Sequence, residues 1–387
     1  MQSIFLDHNS TTPLNKLAYE EMIPYLNHKF GNPSSIHEFG RVARVKIDES
    51  REVIAQSLSI HPREFVFTSG GTESDNFAIM GVALSRQETG KHIITSQIEH
   101  PAILNPCKAL EQLGFTIDYL PVDSRGTLDL DRLKDVIRDD TILISIQHAN
   151  SEIGTIQDIE KIGEIAKEKG VLFHTDAVQS FGKLPLDLGK IPVDLVSVSA
   201  HKLYGPKGVG GLFIRRGSPP LFPLLSGGNQ EFKRRGGTEN VAGIAGFGKA
   251  VELAMVDLED NASHLKQLRD KLIQYIDEQL VEIRIFGNQD NWLPNTLNLG
   301  FQGVRGEDLL IALDLAGFAV STGSACSSGS QLPSHVLSAI KVRRELVDSS
   351  IRISLGRKNT LEEIDSFGIR LVELVNKMRQ DFRKNAN

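Results

Sequence analysis

The sequence lacks the features that mark secreted, membrane-spanning and nucleic-acid-binding proteins. Its 387 residues include only two cysteines, Cys107 and Cys326, too few for a disulfide framework. No run of about 18 apolar residues occurs, so no membrane span is predicted. The opening residues MQSIFLDHNSTTP have neither the basic nor the apolar region of a signal peptide. Lys and Arg number 43 against 49 Asp and Glu, a net charge of −6, which argues against a nucleic-acid-binding surface. We expect a cytoplasmic protein.

The order of apolar runs predicts a large α/β domain followed by a smaller α+β one. Between residues 60 and 215, short runs rich in Val and Ile alternate with helical segments, a pattern typical of a mainly parallel sheet covered on both faces. The runs are EFVFTSGG, HIITS, FTIDYLPVD, TILISIQ, VLFHTDA, DLVSVSA and GVGGLFIRR. Residues 238–280 predict one or two long helices, and shorter strands and helices follow them.

Chemically active side chains follow several of the predicted strands. In parallel α/β sheets, ligands bind beyond the carboxyl ends of the strands. Each of these side chains taken alone is typical of a loop or a helix cap, but so many strand ends of this kind are not expected by chance. The residues are His100, His148, Asn150, Glu152, Asp176, Gln179, Ser199, His201 and Lys202.

Two glycine-containing turns are candidate phosphate sites. FTSGGTESDN (67–76) places Gly71 and Thr72 between a strand and a helix, where backbone N–H groups and the helix dipole favour an anion. The alternative is a capping box formed by Thr72 and Asp75. RRGGTEN (234–240) places Thr238 in a second turn of the same kind before a helix.

Two residues of the smaller domain complete the set of candidates. Cys326 lies in STGSACSSGSQLPS (321–334), a Ser- and Gly-rich segment without apolar periodicity. Such a setting favours an exposed nucleophilic thiol, although a lone cysteine is most often a small buried hydrophobe. Arg352 in IRISLG can clamp a carboxylate with two hydrogen bonds, or can be a solvated strand residue.

Three classes of function fit these residues. A lysine at a strand end, phosphate-binding turns and a strand-end carboxylate suit pyridoxal 5′-phosphate, whose aldehyde, phosphate and ring nitrogen need these three groups. A metal hydrolase could instead use the histidines and Asp176 as ligands, although no His-x-x-x-His pair occurs. A non-enzymatic carrier holding a group on Cys326 is the third class.

The chain resembles the pyridoxal-phosphate-dependent cysteine desulfurases, the NifS- and IscS-like group of the class-V aminotransferase superfamily. The matching stretches follow the family's order along nearly the whole chain. They are FLDHNSTTP, GNPSSIHEFGR, FTSGGTESDN, IEHPA, HANSEIGTIQDI, FHTDAVQSFGKLPLDL, DLVSVSAHKLYGPKGVGGLFIRR, GGTEN, STGSACSSG and SSIRISLGR.

This resemblance implies the fold of the aspartate-aminotransferase-like (fold type I) enzymes. Residues 14–257 would form a large cofactor-binding domain with a mostly parallel seven-stranded sheet. Residues 1–13 and 258–387 would form a small α+β domain that carries the thiol loop 321–334. The resemblance also implies a homodimer with its sites at the interface.

The resemblance assigns a role to each candidate residue. Lys202 would form the Schiff base with the cofactor, His100 would stack on its ring, Asp176 would hold the ring nitrogen protonated, and Thr238 would reach the phosphate of the other subunit. Asn150 and Arg352 would bind the substrate carboxylate, and Cys326 would accept the sulfur. The implied cofactor contacts are Gly71, Thr72, His100, Asn150, Asp176, Gln179, Ser199, His201, Lys202 and Thr238, with no metal.

The implied reaction is the conversion of L-cysteine to L-alanine, with a persulfide left on Cys326 for an iron–sulfur scaffold or another sulfur acceptor. A selenocysteine lyase, or another lyase or aminotransferase of the same fold, is the alternative. The identity of the acceptor stays open.

Overall fold

A computed structural model describes residues 3–322 and 333–385, with side chains up to residue 381. Cys326 therefore lies outside the described residues. The central feature is a seven-stranded sheet. Its strands are β2 (Phe65–Thr68), β3 (His92–Ser96), β4 (Thr116–Leu120), β5 (Thr141–Ser145), β6 (Leu172–Asp176), β7 (Leu195–Ser199) and β8 (Gly210–Ile214). They lie in the order β2-β8-β7-β6-β5-β3-β4 across the sheet.

One strand of this sheet runs against the others. β8 is antiparallel to both β2 and β7, and the remaining neighbours pair in parallel. Both faces of the sheet are buried: Phe65 and Phe67 belong to one apolar cluster, whereas Val66 belongs to the cluster on the other side. The predicted α/β class and the mostly parallel sheet are confirmed.

Helices flank this sheet. They are α1 (Lys16–Leu26), α2 (Glu38–Ser57), α3 (Gly71–Arg86), α4 (Pro101–Gln112), α5 (Leu130–Val136), α6 (Ile159–Glu168), the one-turn, left-handed α7 (Gln230–Lys233) and α8 (Val241–Val256). Of these, α3 to α6 alternate with the strands of the sheet, as the order of apolar runs predicts. None of the helices in the described part of the chain is long and apolar enough to span a bilayer.

The rest of the chain builds smaller sheets and further helices. β9 (Ile283–Phe286), β10 (Thr296–Phe301) and β12 (Ser350–Ser354) form an antiparallel sheet, and β1 (Ile4–Phe5) pairs in parallel with β11 (Phe318–Ala319). The helices here are α9 (Leu258–Gln279), α10 (Gly306–Leu315), α11 (His335–Ala339), α12 (Arg344–Asp348) and α13 (Leu361–Asn385).

The apolar cluster of this second region draws on both ends of the chain. Leu6 packs with residues from Leu265 to Val375. Val336 and Leu337 of α11, however, pack into the core of the large sheet. The exact boundaries at residues 13/14 and 257/258 stay predictions.

The topology brings the predicted site residues to one edge. β2, β3, β5, β6 and β7 all point the same way, so their carboxyl ends, and the residues that follow them, lie along the same edge of the sheet.

Candidate active site

Lys202 lies one short 3₁₀ turn beyond β7, in Ala200–Lys202. Its Nζ donates to the backbone oxygens of Asn9 at 2.6 Å and Ser10 at 2.7 Å. The N-terminal segment therefore crosses the end of the large sheet, and the Thr12 N–H donates to the His201 carbonyl at 2.9 Å. The amine of Lys202 is thereby held in one place at the strand edge.

Ser199 and the Gly70–Gly71 turn form a cradle for an anion. The Ser199 Oγ is buried and makes no hydrogen bond with any residue that the structure describes. Gly70 has φ +152°, and a Cβ on Gly71 would lie 2.8 Å from the Val178 Cγ2 and 3.6 Å from the Ser199 Cβ. A side chain at position 71 would fill this space, which lies at the N-terminus of α3, where unpaired N–H groups favour phosphate.

The capping-box alternative for this turn is wrong. α3 begins after Gly70 without a side-chain cap, and Asp75 is buried rather than capping the helix. The Ser69 N–H instead donates to the Glu73 carboxylate at 2.7 Å. His201 lies close by, with its Nδ1 3.1 Å from the Thr11 Oγ1. Thr72 at the first turn of α3 is thus left available to an anion.

Asp176 is a buried carboxylate at the end of β6. Burial raises the pKa of Asp176 to about 6, while the Val178 N–H and the charge of Lys202 oppose that rise. The Val178 N–H donates to the Asp176 Oδ1 at 2.8 Å. Asp176 therefore also caps the turn that follows β6, which is the ordinary role of such a residue at a strand end. Asp75 lies beside it, and burial followed by the charge of Asp176 raises the pKa of Asp75 well above its usual range. A buried cationic ring nitrogen would stabilise this acidic pair.

His100 is the N-cap of α4 and lies near Lys202. Its Nδ1 accepts a hydrogen bond from the Ala102 N–H at 3.1 Å, which leaves Nε2 as the protonated nitrogen of the neutral ring. Burial, followed by the charges of Lys202 and His335, lowers the pKa of His100 to about 4. A neutral imidazole is suited to stacking on an aromatic ring.

Asn150 and Gln179 are both buried and hydrogen-bonded within the chain. The Asn150 Nδ2 donates to the Ile98 carbonyl at 3.0 Å, and its Oδ1 accepts from the Glu152 N–H at 2.8 Å. The Gln179 Nε2 donates to the Asn9 carbonyl at 3.0 Å. These two amides organise the turns around the site, and their cofactor contacts stay predictions.

Arg352 lies in the centre of β12 and is buried. Its Nη2 donates to the Asp7 Oδ1 at 2.8 Å and its Nη1 to the Ser151 carbonyl at 3.2 Å. The buried Nε has no hydrogen-bond partner among the described residues. An incoming carboxylate would satisfy that nitrogen.

Thr238 and Cys326 are the remaining predicted site residues. Thr238 is exposed in the turn that precedes α8, and Cys326 is outside the described residues. Described residues at both ends of the thiol loop contact the site: Ser321 pairs with Arg352 through backbone hydrogen bonds of 3.1 and 2.6 Å, and the Ser334 Oγ lies 2.5 Å from the Glu152 Oε2.

The site also contains residues that no strand-end pattern singled out. Asn9, Lys183 and His335 reach it from distant parts of the sequence. Asn9 and Lys183 both occur in the stretches that resemble the family, and that resemblance was the available signal. His335 binds the Glu99 carbonyl through its Nε2 at 2.9 Å.

The histidines do not converge as the metal-hydrolase alternative requires. His174 is buried within the sheet, with its Nδ1 2.9 Å from the Ser145 Oγ and its Nε2 3.0 Å from the Ser197 Oγ. Across residues 3–322 and 333–385, no group of three or more His, Cys, Asp or Glu side chains could hold a metal ion.

The donor set instead fits pyridoxal 5′-phosphate. An amine, an anion cradle with an unsatisfied hydroxyl, a buried acidic pair and a neutral imidazole line the same edge of the sheet. These are the four groups that the aldehyde, phosphate, ring nitrogen and ring face of this cofactor require.

Comparisons with known proteins agree with this fit. The aminotransferase class-V family profile matches residues 4–367. Cysteine desulfurase IscS of Dictyoglomus turgidum is 52% identical over 98% of this chain and 96% of its own length. The solved structure of a NifS-like protein has a TM-score of 0.92 and 40% identity over 97% of this chain and 100% of that one. The structure of SspA in complex with cysteine has a TM-score of 0.82 and 37% identity over 92% of this chain and 99% of that one. The chain belongs to the class-V aminotransferase family and, within it, to the cysteine desulfurases.

Proposed function

We propose that this protein is a pyridoxal-phosphate-dependent cysteine desulfurase. It converts L-cysteine to L-alanine and leaves the sulfur on Cys326 as a persulfide. One observation carries the assignment of the thiol: the segment that contains Cys326 starts next to Arg352, at Ser321, and ends at Ser334, which is hydrogen-bonded to Glu152. Both attachments lie at the site, which supports the proposal that Cys326 supplies the thiol.

The cofactor is held by the groups described above. Ser199, His201, Thr72 and the N–H groups at the start of α3 would bind the phosphate, Asp176 would pair with the ring nitrogen, and His100 would cover the ring face. When bound, pyridoxal phosphate would withdraw electrons from the substrate's α-carbon, which makes the α-proton acidic and the sulfur on the β-carbon open to attack.

The chain's own residues orient the substrate and move its proton. Arg352 fixes the substrate carboxylate through its guanidinium, already aligned by Asp7. Lys202 in its neutral form takes the proton from the α-carbon, because its amine is fixed at the strand edge by the Asn9 and Ser10 carbonyls. Fixing the substrate at its carboxylate and its α-carbon leaves its thiol available for transfer to Cys326.

The sulfur transfer needs no added oxidant. The Cys326 thiolate attacks the sulfur of cysteine, an S–S bond forms, and the carbon–sulfur bond breaks. The electron pair of that bond stays with the carbon, which takes up a proton and leaves as alanine. Cys326 keeps the persulfide until a thiol or a cluster-assembly scaffold accepts the terminal sulfur.

Further features of the assignment follow from the same family. We propose a homodimer in which Thr238 completes the partner's phosphate site; the exposure of Thr238 supports this role. We also propose a cytoplasmic location and an iron–sulfur scaffold or similar protein as acceptor. The burial of the free thiol of Cys107 is consistent with a reducing compartment.

A single-turnover assay tests the role of Cys326. Without a reductant, the parent should release about one alanine per subunit from L-cysteine and show a persulfide on Cys326 by mass spectrometry. C326A should keep the visible absorbance of the bound cofactor and release no alanine. C107A is the matched control, since burial raises the pKa of Cys107 to about 12 and makes this thiol unreactive.

The outcomes separate the alternatives. Equal alanine release by C326A and the parent would refute the persulfide. Turnover of selenocysteine but not of cysteine by the parent would favour a selenocysteine lyase.

A further inference from the structure

Lys183 is a second lysine at this site, and the proposed reaction gives it no role. Its side chain is 9% exposed. The Nζ donates to the Gln179 Oε1 at 3.0 Å and to the Asn9 Oδ1 at 3.2 Å. Both acceptors are neutral amide oxygens, which compensate a buried ammonium group poorly.

Lys183 and Lys202 share the same two intermediary residues. The Asn9 carbonyl accepts from Lys202 and from the Gln179 Nε2, while the Asn9 side-chain oxygen accepts from Lys183. The ammonium of Lys183 fixes which end of the Gln179 amide faces it. Removing that ammonium would leave the Gln179 Oε1 without this donor, whereas the Asn9 amide keeps its hydrogen bonds with Asn295, Ser151 and Thr296.

The surroundings of Lys183 are cationic. Burial, followed by the charges of Lys202, Arg352 and Arg357, lowers the pKa of Lys183 to about 7. Burial, followed by the charge of Lys183, lowers the pKa of His8 to about 4. The carboxylates nearby are occupied elsewhere: Asp7 pairs with Arg352, and Asp176 faces Lys202.

Little water can compensate this charge. The cavity next to Lys183 and Lys202, lined also by His8, Tyr204 and Arg357, measures about 10 Å³. That volume is close to the smallest that holds one water molecule. Two ammonium groups so close together therefore repel each other with little screening.

We propose that Lys183 is a positioning residue for Lys202, with which it shares one positive charge through Asn9 and Gln179. A charge on Lys183 disfavours a charge on Lys202 and so favours the neutral amine, the form that bonds an aldehyde or takes a proton. When Lys202 is bonded and uncharged, Lys183 carries the charge in its place. The inference rests on the proposed role of Lys202.

The test uses the protein freed of its cofactor, so it does not require desulfurase activity. Amine labelling over a range of pH, with mass spectrometry of the Lys202 peptide, gives the pH of half-maximal labelling. K183M should raise that pH by more than about 0.3 units, because the charged form of Lys183, which disfavours a charge on Lys202, is lost. K183R should keep the parent value, since it keeps the charge.

A matched control and a second readout separate this role from a structural one. K190M removes an exposed lysine of the same loop, paired only with Asp187, and should leave the labelling pH unchanged. The rate at which the visible band forms on adding pyridoxal phosphate should shift along the pH axis by the same amount in K183M.

The proposal is overturned if K183M lowers stability or cofactor affinity but leaves the labelling pH of Lys202 within about 0.3 units of the parent. Should K183M fail to fold, K183Q gives the same comparison. If the parent fails the cysteine assay but K183M shows the expected shift in the labelling pH of Lys202, the proposed function is refuted and the pairing of the two lysines still holds.

Discussion

Replacing Glu231 by Gln tests how a strained turn next to the site is held. Glu231, Phe232 and Lys233 have φ values of 45°, 59° and 67°. At about 1–2 kcal/mol for each residue, this left-handed backbone costs about 3–6 kcal/mol. The buried Glu231 carboxylate offsets the cost by binding both Nη atoms of Arg51 at 2.7 and 2.8 Å and the Phe67 N–H at 2.8 Å.

The expected loss in the free energy of unfolding follows from the buried charge that E231Q leaves unpaired. Glutamine keeps the shape and one acceptor, but the buried guanidinium of Arg51 loses its counter-charge. Arg51 cannot turn to solvent, because its guanidinium lies 4.7 Å from the centre of the Phe67 ring and 5.1 Å from that of Phe232, and it also donates to the Phe65 carbonyl at 2.7 Å. Breaking one side of a buried ion pair costs about 3–5 kcal/mol.

Urea unfolding followed by circular dichroism, at one protein concentration, measures this change in the free energy of unfolding. A second readout is local: trypsin should cut after Lys233, Arg234 or Arg235 faster in E231Q than in the parent, since these residues follow the released carboxylate.

D290N is the matched control. Asp290 also pairs with an arginine at 2.7 Å, but the side chains of Asp290 and Arg125 are 82% and 58% exposed, so the expected loss is below about 1 kcal/mol. A loss of that same size in E231Q, with no faster proteolysis, would refute the reasoning that the carboxylate holds the turn.

Two further substitutions test the packing and the electrostatics of the site. G211A would place a Cβ in steric overlap with the Cζ edge of the Phe65 ring and should destabilise the protein by about 1–3 kcal/mol in thermal unfolding; an unchanged melting temperature would contradict this close packing. Burial raises the pKa of Glu152 from 4.5 to about 7, against the opposing effects of Ser334 and Arg352. The folded protein therefore binds this proton more tightly than the unfolded chain does, and stability falls as pH rises through that window. E152Q should remove up to about 3 kcal/mol of this fall between about pH 5 and about pH 8 in urea unfolding; an identical pH slope in parent and variant would show that Glu152 is not the group involved.

Strand periodicity was enough to predict much of the site. Asp176 and Lys202 end parallel strands, and parallel strands necessarily bring their carboxyl ends to one edge. The turn at Thr72 shows the limit of local patterns, because both a capping box and a phosphate site fit the letters. The start of α3 at Gly70 without a side-chain cap, together with the burial of Asp75, decides against the first.

Other parts of the site depend on contacts that the sequence does not announce. Lys183 and Asn9 are 174 residues apart, and neither follows a predicted strand. The left-handed turn at 231–233 contains none of the Gly, Asn or Asp residues that usually mark such backbone. Its cause is the side chain of Arg51, 180 residues away.

The path of the N-terminal segment has a consequence for how the protein is made. The support of Lys202 by Asn9 joins residues 193 positions apart, and the Asn9 N–H donates to the Ser354 Oγ across 345 positions. Residues 9–12 leave the ribosome long before β12 does, and Asn9 finds its Ser354 partner only when β12 has been synthesised. Closing such long loops is slow compared with forming local helices. A nascent chain that ends before about residue 350 therefore exposes the lysine without firmly held carbonyl supports, and competence to bind cofactor arises only after β12 has been synthesised.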